Sequence, residues 1–211
     1  MLRLTEIFLS LQGESSTTGL PTVFVRLTGC PLRCQYCDTA YAFSGGSLKS
    51  VSDVVDETRS YKVNRVTVTG GEPLAQPECL GLLKELCDCG FSVSLETSGA
   101  LSIAGIDPRV TIVMDLKTPS SGECHRNLYE NLAHLAPKDE IKFVISDDED
   151  YAWTKDRIRE YELADVAHLL VSPNHDVLPP RDLAQWVLAD RLPVRLQIQL
   201  HKYLWGDVPG R

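Results

Sequence analysis

The chain has 211 residues, enough for one sizeable core, and a single domain over 1–211 is expected. Its 43% apolar and 24% charged residues are those of a soluble globular protein, and a formal charge of -8 argues against a partner made of phosphate backbone, so no nucleic acid is expected. No apolar run reaches the ~18 residues of a membrane span, and Glu6 interrupts the amino-terminal "MLRLTEIFLSLQGE", a poor signal peptide, so the expected protein is cytoplasmic with no membrane partner.

Short β-branched runs read as strands: "TVFVRLTG" (22–29), "RVTVTG" (65–70), "FSVSLET" (91–97), "VTIVMDLK" (110–117), "EIKFVIS" (140–146), "VAHLLVS" (166–172) and "VRLQIQL" (194–200). Helical patterns lie between most of them. The first covers 51–61 with Ser50 or Ser52 as N-cap, and the next, 77–89, opens at Pro77 and closes before Gly90. Segments 124–136 and 180–191 follow the same pattern, and 147–163 comes after Ser146 with Glu149 three positions on, a capping-box signature.

Alternation of this kind implies parallel strands joined by right-handed crossovers. The strands are too few for a closed eight-unit barrel, and the stretch from Gly99 to Arg109 is short for a helix. The expected fold is therefore α/β, an incomplete (β/α) barrel of about six or seven mainly parallel strands, with a doubly wound open sheet as the alternative. Polar and glycine-rich motifs follow the carboxyl ends of these strands: "TGC", "TGGEP", "ETSG", "DLK", "SPNH" and "QLHK". In parallel α/β folds that rim carries the active site.

Seven cysteines are an odd number at irregular spacings, which argues against a disulfide framework and for metal or redox chemistry. Cys79, Cys87, Cys89 and Cys124 read as small buried hydrophobes. Cys30, Cys34 and Cys37 crowd into one loop, where a structural zinc site would need a fourth ligand that the sequence does not advertise. Three thiolates on a four-iron cluster leave one iron open to a ligand.

The spacing Cys-x3-Cys-x2-Cys, with Tyr36 before the last cysteine, resembles the radical S-adenosylmethionine superfamily, and "TGGEP" (69–73) resembles its glycine-rich turn. The resemblance implies a 4Fe-4S cluster on Cys30, Cys34 and Cys37, with S-adenosylmethionine on the open iron as the source of a 5'-deoxyadenosyl radical. Gly70 and Gly71 would let the backbone approach the cofactor closely. Read alone, the same glycines are a plain tight turn.

Within the superfamily, "EIFLSLQGE" (6–14), "CDT" (37–39), "TGGEP", "ETSG" (96–99), "DLKTPSSGE" (115–123) and "QLHKYLWG" (199–206) together resemble the 7-carboxy-7-deazaguanine synthase family. That family contracts 6-carboxy-5,6,7,8-tetrahydropterin with loss of ammonia, on the route to 7-deazapurine bases of tRNA such as queuosine. The resemblance implies a lyase using Mg2+, an external reductant protein and a homodimer. By position, Leu11, Gln12, Gly13, Glu14, Arg26 and Thr69 would contact substrate; Tyr36, Cys37, Asp38, Gly71, Asp115, Leu116, Lys117, Ser172 and Asn174 would contact the cofactor; Thr39 would ligate Mg2+.

Bland readings stand beside these: Gln12 to Glu14 as an exposed turn, Arg26 as an edge residue reaching to solvent, Thr39 as a helix cap. Three features depart from the family pattern. Ser15 replaces an expected glycine, Asp115-Leu116-Lys117 stands where Ser-Pro-Lys is expected, and the chain runs past Trp205 into "GDVPGR". A glycyl-radical activating enzyme would share the cysteines and glycine turn but has no need of Arg26 with Gln12 to Glu14. A non-enzymatic iron-sulfur or zinc module would require a fourth protein ligand.

Overall fold

The computed structural model describes every residue but Asp176, Asp207, Pro209 and Arg211, and those residues build one nine-stranded sheet. Strands β1 (Leu2–Leu11), β2 (Pro21–Leu27), β3 (Ser47–Lys49), β4 (Arg65–Gly70), β5 (Ser92–Thr97), β6 (Thr111–Asp115), β7 (Glu140–Ile145), β8 (His168–Pro173) and β9 (Arg195–Leu196) lie in the order β3-β1-β2-β4-β5-β6-β7-β8-β9. From β2 to β9 every pairing is parallel, whereas β1 runs antiparallel to β2 and β3. The sheet stays open, with β3 and β9 at its edges. This is the expected incomplete barrel with two antiparallel strands added.

Side-chain alternation gives the sheet two unlike faces. Val25 and Leu27 of β2, Val66 and Val68 of β4, and Val93 and Leu95 of β5 enter one core cluster with the helices α1 (Val51–Ser60) and α2 (Cys79–Asp88). Met114 of β6, Ile141 and Phe143 of β7, and Val171 of β8 enter a second with α3 (Asp148–Glu160), α4 (Leu163–Val166) and α5 (Pro180–Asp190). The intervening positions, Phe24, Arg26, Thr69, Glu96, Asp115 and Lys142 among them, face a cavity instead. Among the described residues no helix is long and apolar enough to cross a membrane.

β1 was absent from the sequence reading because a bulge breaks its alternation. Leu4 pairs with Leu27 but Glu6 with Arg26, so one extra residue, Thr5, sits between the two registers. Leu2 and Leu4 point into the core, while beyond the bulge Ile7 takes the core side. The even-numbered Glu6 and Phe8 are thereby placed opposite Arg26 and Phe24. β2 is consequently an interior strand, which removes the edge-residue reading of Arg26.

Other elements shift in detail. Ser50 caps α1 through a reciprocal capping box with Asp53, but α3 is capped by Asp147, whose side chain accepts from Asp150 N, and not by Ser146. Segment 124–136 is not an α-helix but two 3₁₀ turns, Cys124–Arg126 and Tyr129–His134. The run 194–200 keeps only the two residues of β9 and passes into a short helix, α6 (Leu200–Trp205). Cys79 and Cys87 are buried as expected; Cys89 is exposed and Cys124 half-buried, so burial does not account for those two.

Candidate active site

A cavity of about 220 Å³ opens at the carboxyl ends of the parallel strands. Cys30, Cys34 and Cys37 line it from the loop after β2, all half-buried and free. Their loop is pinned on several sides. Leu32 is fully buried, Gln35 N donates to Ser121 O at 3.0 Å, and Arg33 N donates to Glu123 Oε1 at 2.6 Å. The Arg33 guanidinium lies 4.3 Å over the Phe43 ring.

Burial pushes all three thiols above their ordinary range, and Cys30 and Cys34 also feel neighbouring cysteines; Lys117 acts in the opposite sense on each. Three crowded thiolates beside one ammonium lack positive charge, which is what cluster iron supplies. The glycine turn packs directly against the start of the cysteine loop, which only residues without a Cβ allow. A Cβ on Gly71 would come within 2.3 Å of Gly29 O and 2.7 Å of Cys30 Cβ, and one on Gly70, at φ 151°, within 2.1 Å of Leu27 O. The residues present fit a 4Fe-4S cluster.

Glu72 of the same turn serves the scaffold. Its buried carboxylate accepts from Leu74 N (3.0 Å), Thr97 Oγ1 (2.9 Å), Ser98 N (2.7 Å) and Ser98 Oγ, tying the "TGGEP" and "ETSG" loops together. Glu72→Ala is expected to cost about 3 kcal/mol in urea unfolding, because it leaves several buried donors without an acceptor. An unchanged unfolding midpoint would remove this role.

The opposite wall carries a buried polar network. Gln12 Nε2 donates to Thr67 Oγ1 (3.2 Å) and Glu96 Oε1 (3.3 Å), and Thr69 Oγ1 donates to Glu96 Oε2 (2.9 Å). Glu14 Oε2 accepts from Lys142 Nζ at 2.6 Å, while its buried Oε1 has no partner among the described residues. Lys142 also lies 3.3 Å from Asp115, which pairs with Lys117 at 2.8 Å. Burial pushes the Glu96 carboxyl up. It acts on Asp115 in the same sense, yet Lys117 and Lys142 hold that carboxyl below its usual range.

Thr39 Oγ1 donates to Asp38 Oδ1 at 2.8 Å and makes no cap bond to the turn after it, so the helix-cap reading fails. Ser15 sits at φ 73°, the left-handed conformation that accounts for the glycine expected there, and its Oγ accepts from Thr17 N at 3.2 Å. Gly13 is required by contact, since a Cβ there would lie 2.0 Å from the His201 ring of α6.

Leu11, Gln12, Gly13, Glu14, Arg26, Tyr36, Asp38, Thr39, Thr69, Gly71, Asp115, Lys117 and Asn174 thus share one cavity with the three cysteines. Two expected residues do not line it. Leu116 is packed in the core, one residue out of phase with Asp115, and Ser172 is fully buried with an unpartnered hydroxyl on β8. The structure adds Phe8, Glu96, Lys142, His201 and Lys202 to the lining. Glu96 and Lys142 carried a legible signal: each is a charge directly beside a buried apolar residue of its strand, Leu95 and Ile141, and so falls on the opposite face.

The radical SAM superfamily model matches residues 24–120. A 7-carboxy-7-deazaguanine synthase from Chlorobaculum tepidum is 44% identical over 97% of this chain and 94% of its own length. The chain belongs to the 7-carboxy-7-deazaguanine synthase family. A second member, from Koribacter versatilis, is 42% identical over 97% of each chain. The crystal structure of QueE from Escherichia coli aligns with a TM-score of 0.79 at 25% identity, covering 95% of this chain and 94% of that one. As a radical SAM enzyme of this family the protein uses a 4Fe-4S cluster on three cysteines together with S-adenosylmethionine.

Proposed function

We propose that this chain contracts 6-carboxy-5,6,7,8-tetrahydropterin to 7-carboxy-7-deazaguanine with loss of ammonia, in 7-deazapurine (queuosine) biosynthesis. The observation that carries the reading is Glu14 Oε1, a buried acceptor with no partner among the described residues, in the same cavity as the three cysteines. The N–H edge of an aminopyrimidinone ring supplies the donor that this oxygen lacks.

Cys30, Cys34 and Cys37 hold the cluster, and Tyr36, Cys37, Asp38, Gly71, Asp115, Lys117 and Asn174 surround S-adenosylmethionine. When bound, these groups supply the 5'-deoxyadenosyl radical that takes a hydrogen atom from substrate. Leu11, Gln12, Gly13, Glu14 and Thr69 orient the pterin ring, and Arg26 takes its carboxylate. Thr39 would offer a hydroxyl oxygen to Mg2+, a hard cation that prefers oxygen ligands. We place the enzyme in the cytoplasm as a homodimer reduced by an external protein.

Anaerobic reconstitution tests this: iron and sulfide are counted, the reduced cluster is followed by EPR with added S-adenosylmethionine, and the product is sought by mass. Cofactor cleavage without 7-carboxy-7-deazaguanine would sink the substrate assignment. Arg26→Ala is expected to weaken pterin binding at least about tenfold, the loss of a charge-assisted fork, while sparing uncoupled cleavage of the cofactor. Wild-type turnover in that variant contradicts the role given to Arg26.

A further inference from the structure

The Arg26 guanidinium is held on several sides before any ligand arrives. Its Nε donates to Glu6 Oε1 at 2.8 Å, and its Cζ lies 5.6 Å from the Phe8 ring centroid and 5.8 Å from that of Tyr41. The same Glu6 oxygen accepts from Tyr41 Oη at 2.8 Å. Phe8 stacks on Phe24 at 5.1 Å, which fixes one of the two flanking rings.

This arrangement depends on the β1 bulge. Continued in the Leu2–Leu4 phase, position 6 would face the core with those leucines; one inserted residue turns it to the cavity side, directly across from Arg26. Thr5 at the bulge is tied to Thr28 by a hydroxyl pair at 2.8 Å. A bulge next to a binding site re-aims a side chain, and here the re-aimed side chain is Glu6.

We propose that Glu6, turned by the bulge to the sheet face that carries Arg26 and braced by Tyr41, is the positioning residue for Arg26: it occupies Nε and leaves the terminal nitrogens as the one fork open to the substrate carboxylate. The proposal rests on the reading of Arg26 as the carboxylate-binding residue. A guanidinium offers a carboxylate either its side edge, through Nε and one terminal nitrogen, or its end, through both terminal nitrogens. With Nε taken, only end-on docking remains. Glu6 thus selects for an acidic group at one orientation relative to the ring.

The test is anaerobic calorimetry on the reconstituted holoenzyme with 6-carboxytetrahydropterin and with tetrahydropterin, which lacks the carboxylate. E6A is expected to bind the carboxylated ligand about tenfold more weakly and the analogue as wild type does. E6Q, whose amide oxygen still accepts from Nε, should stay within about threefold of wild type. Should E6A not fold, Y41F carries the test, with a smaller loss confined to the carboxylated ligand. Wild-type affinity in E6A, or an equal loss on both ligands, overturns the proposal. Preference for the carboxylated ligand surviving in R26A overturns instead the Arg26 reading beneath it.

Discussion

Cys34→Ala is expected to abolish cleavage of S-adenosylmethionine and to lower the iron retained after reconstitution. Cys34 is the middle member of the trio, and its loss leaves two thiolates where the cluster needs three. Neighbouring groups offer no replacement of the same kind: Pro31, Leu32, Arg33, Gln35 and Tyr36 complete the loop, and none is a thiolate. Cys89→Ala is the matched control, since that cysteine is exposed and does not line the cavity. Iron and sulfide analysis with the EPR response to S-adenosylmethionine separates the two variants. Full cleavage in Cys34→Ala would remove the trio from the role given to it.

Lys142→Met is expected to lower stability at pH 7 by about 3 to 5 kcal/mol, the cost of stranding buried charges by deleting their partner. The ammonium sits between Glu14 and Asp115 and acts on Glu96. Burial alone would lower its pKa, but those three carboxylates hold it well above the ordinary value, so it stays charged.

The pH dependence has a definite sign. In the wild type, Asp115 has a folded pKa below its unfolded one, so its contribution is present above the unfolded carboxylate value and lost as pH falls through the folded value. Without Lys142, the Glu96 carboxyl, already pushed up by burial, loses a cation that opposes that rise, so its folded pKa stands further above its unfolded one. The folded variant then binds more protons, and its stability falls as pH rises through that window. The deficit relative to wild type should therefore be smaller at pH 5 than at pH 7 in urea unfolding. A deficit independent of pH would assign the loss to packing of the aliphatic stem instead.

The cysteine spacing and the glycine turn were legible because each is a local pattern whose chemistry needs neighbouring residues in one loop. The parallel strands were legible because Val25, Val68, Leu95 and Met114 alternate with polar positions that face the cavity. Segment 124–136 failed as a helix for a tertiary reason. Asn131 gives its side chain to Ile103 N, Gly99 O and Leu101 O, and Asn127 gives its own to both backbone groups of Lys117, which holds the segment to distant loops in place of α register.

By itself the sequence determined the cluster loop, the glycine turn and the succession of strand segments along the chain, since each depends on residues close together in sequence. Only the tertiary structure decided what faces the substrate end of the cavity. Lys142 reaches Glu14 across 128 positions, and Glu6 meets Arg26 across 20 only because a bulge at Thr5 reverses the strand's faces. Such pairs are set by register and curvature of the sheet, and a one-residue shift of register sends every later side chain to the opposite face.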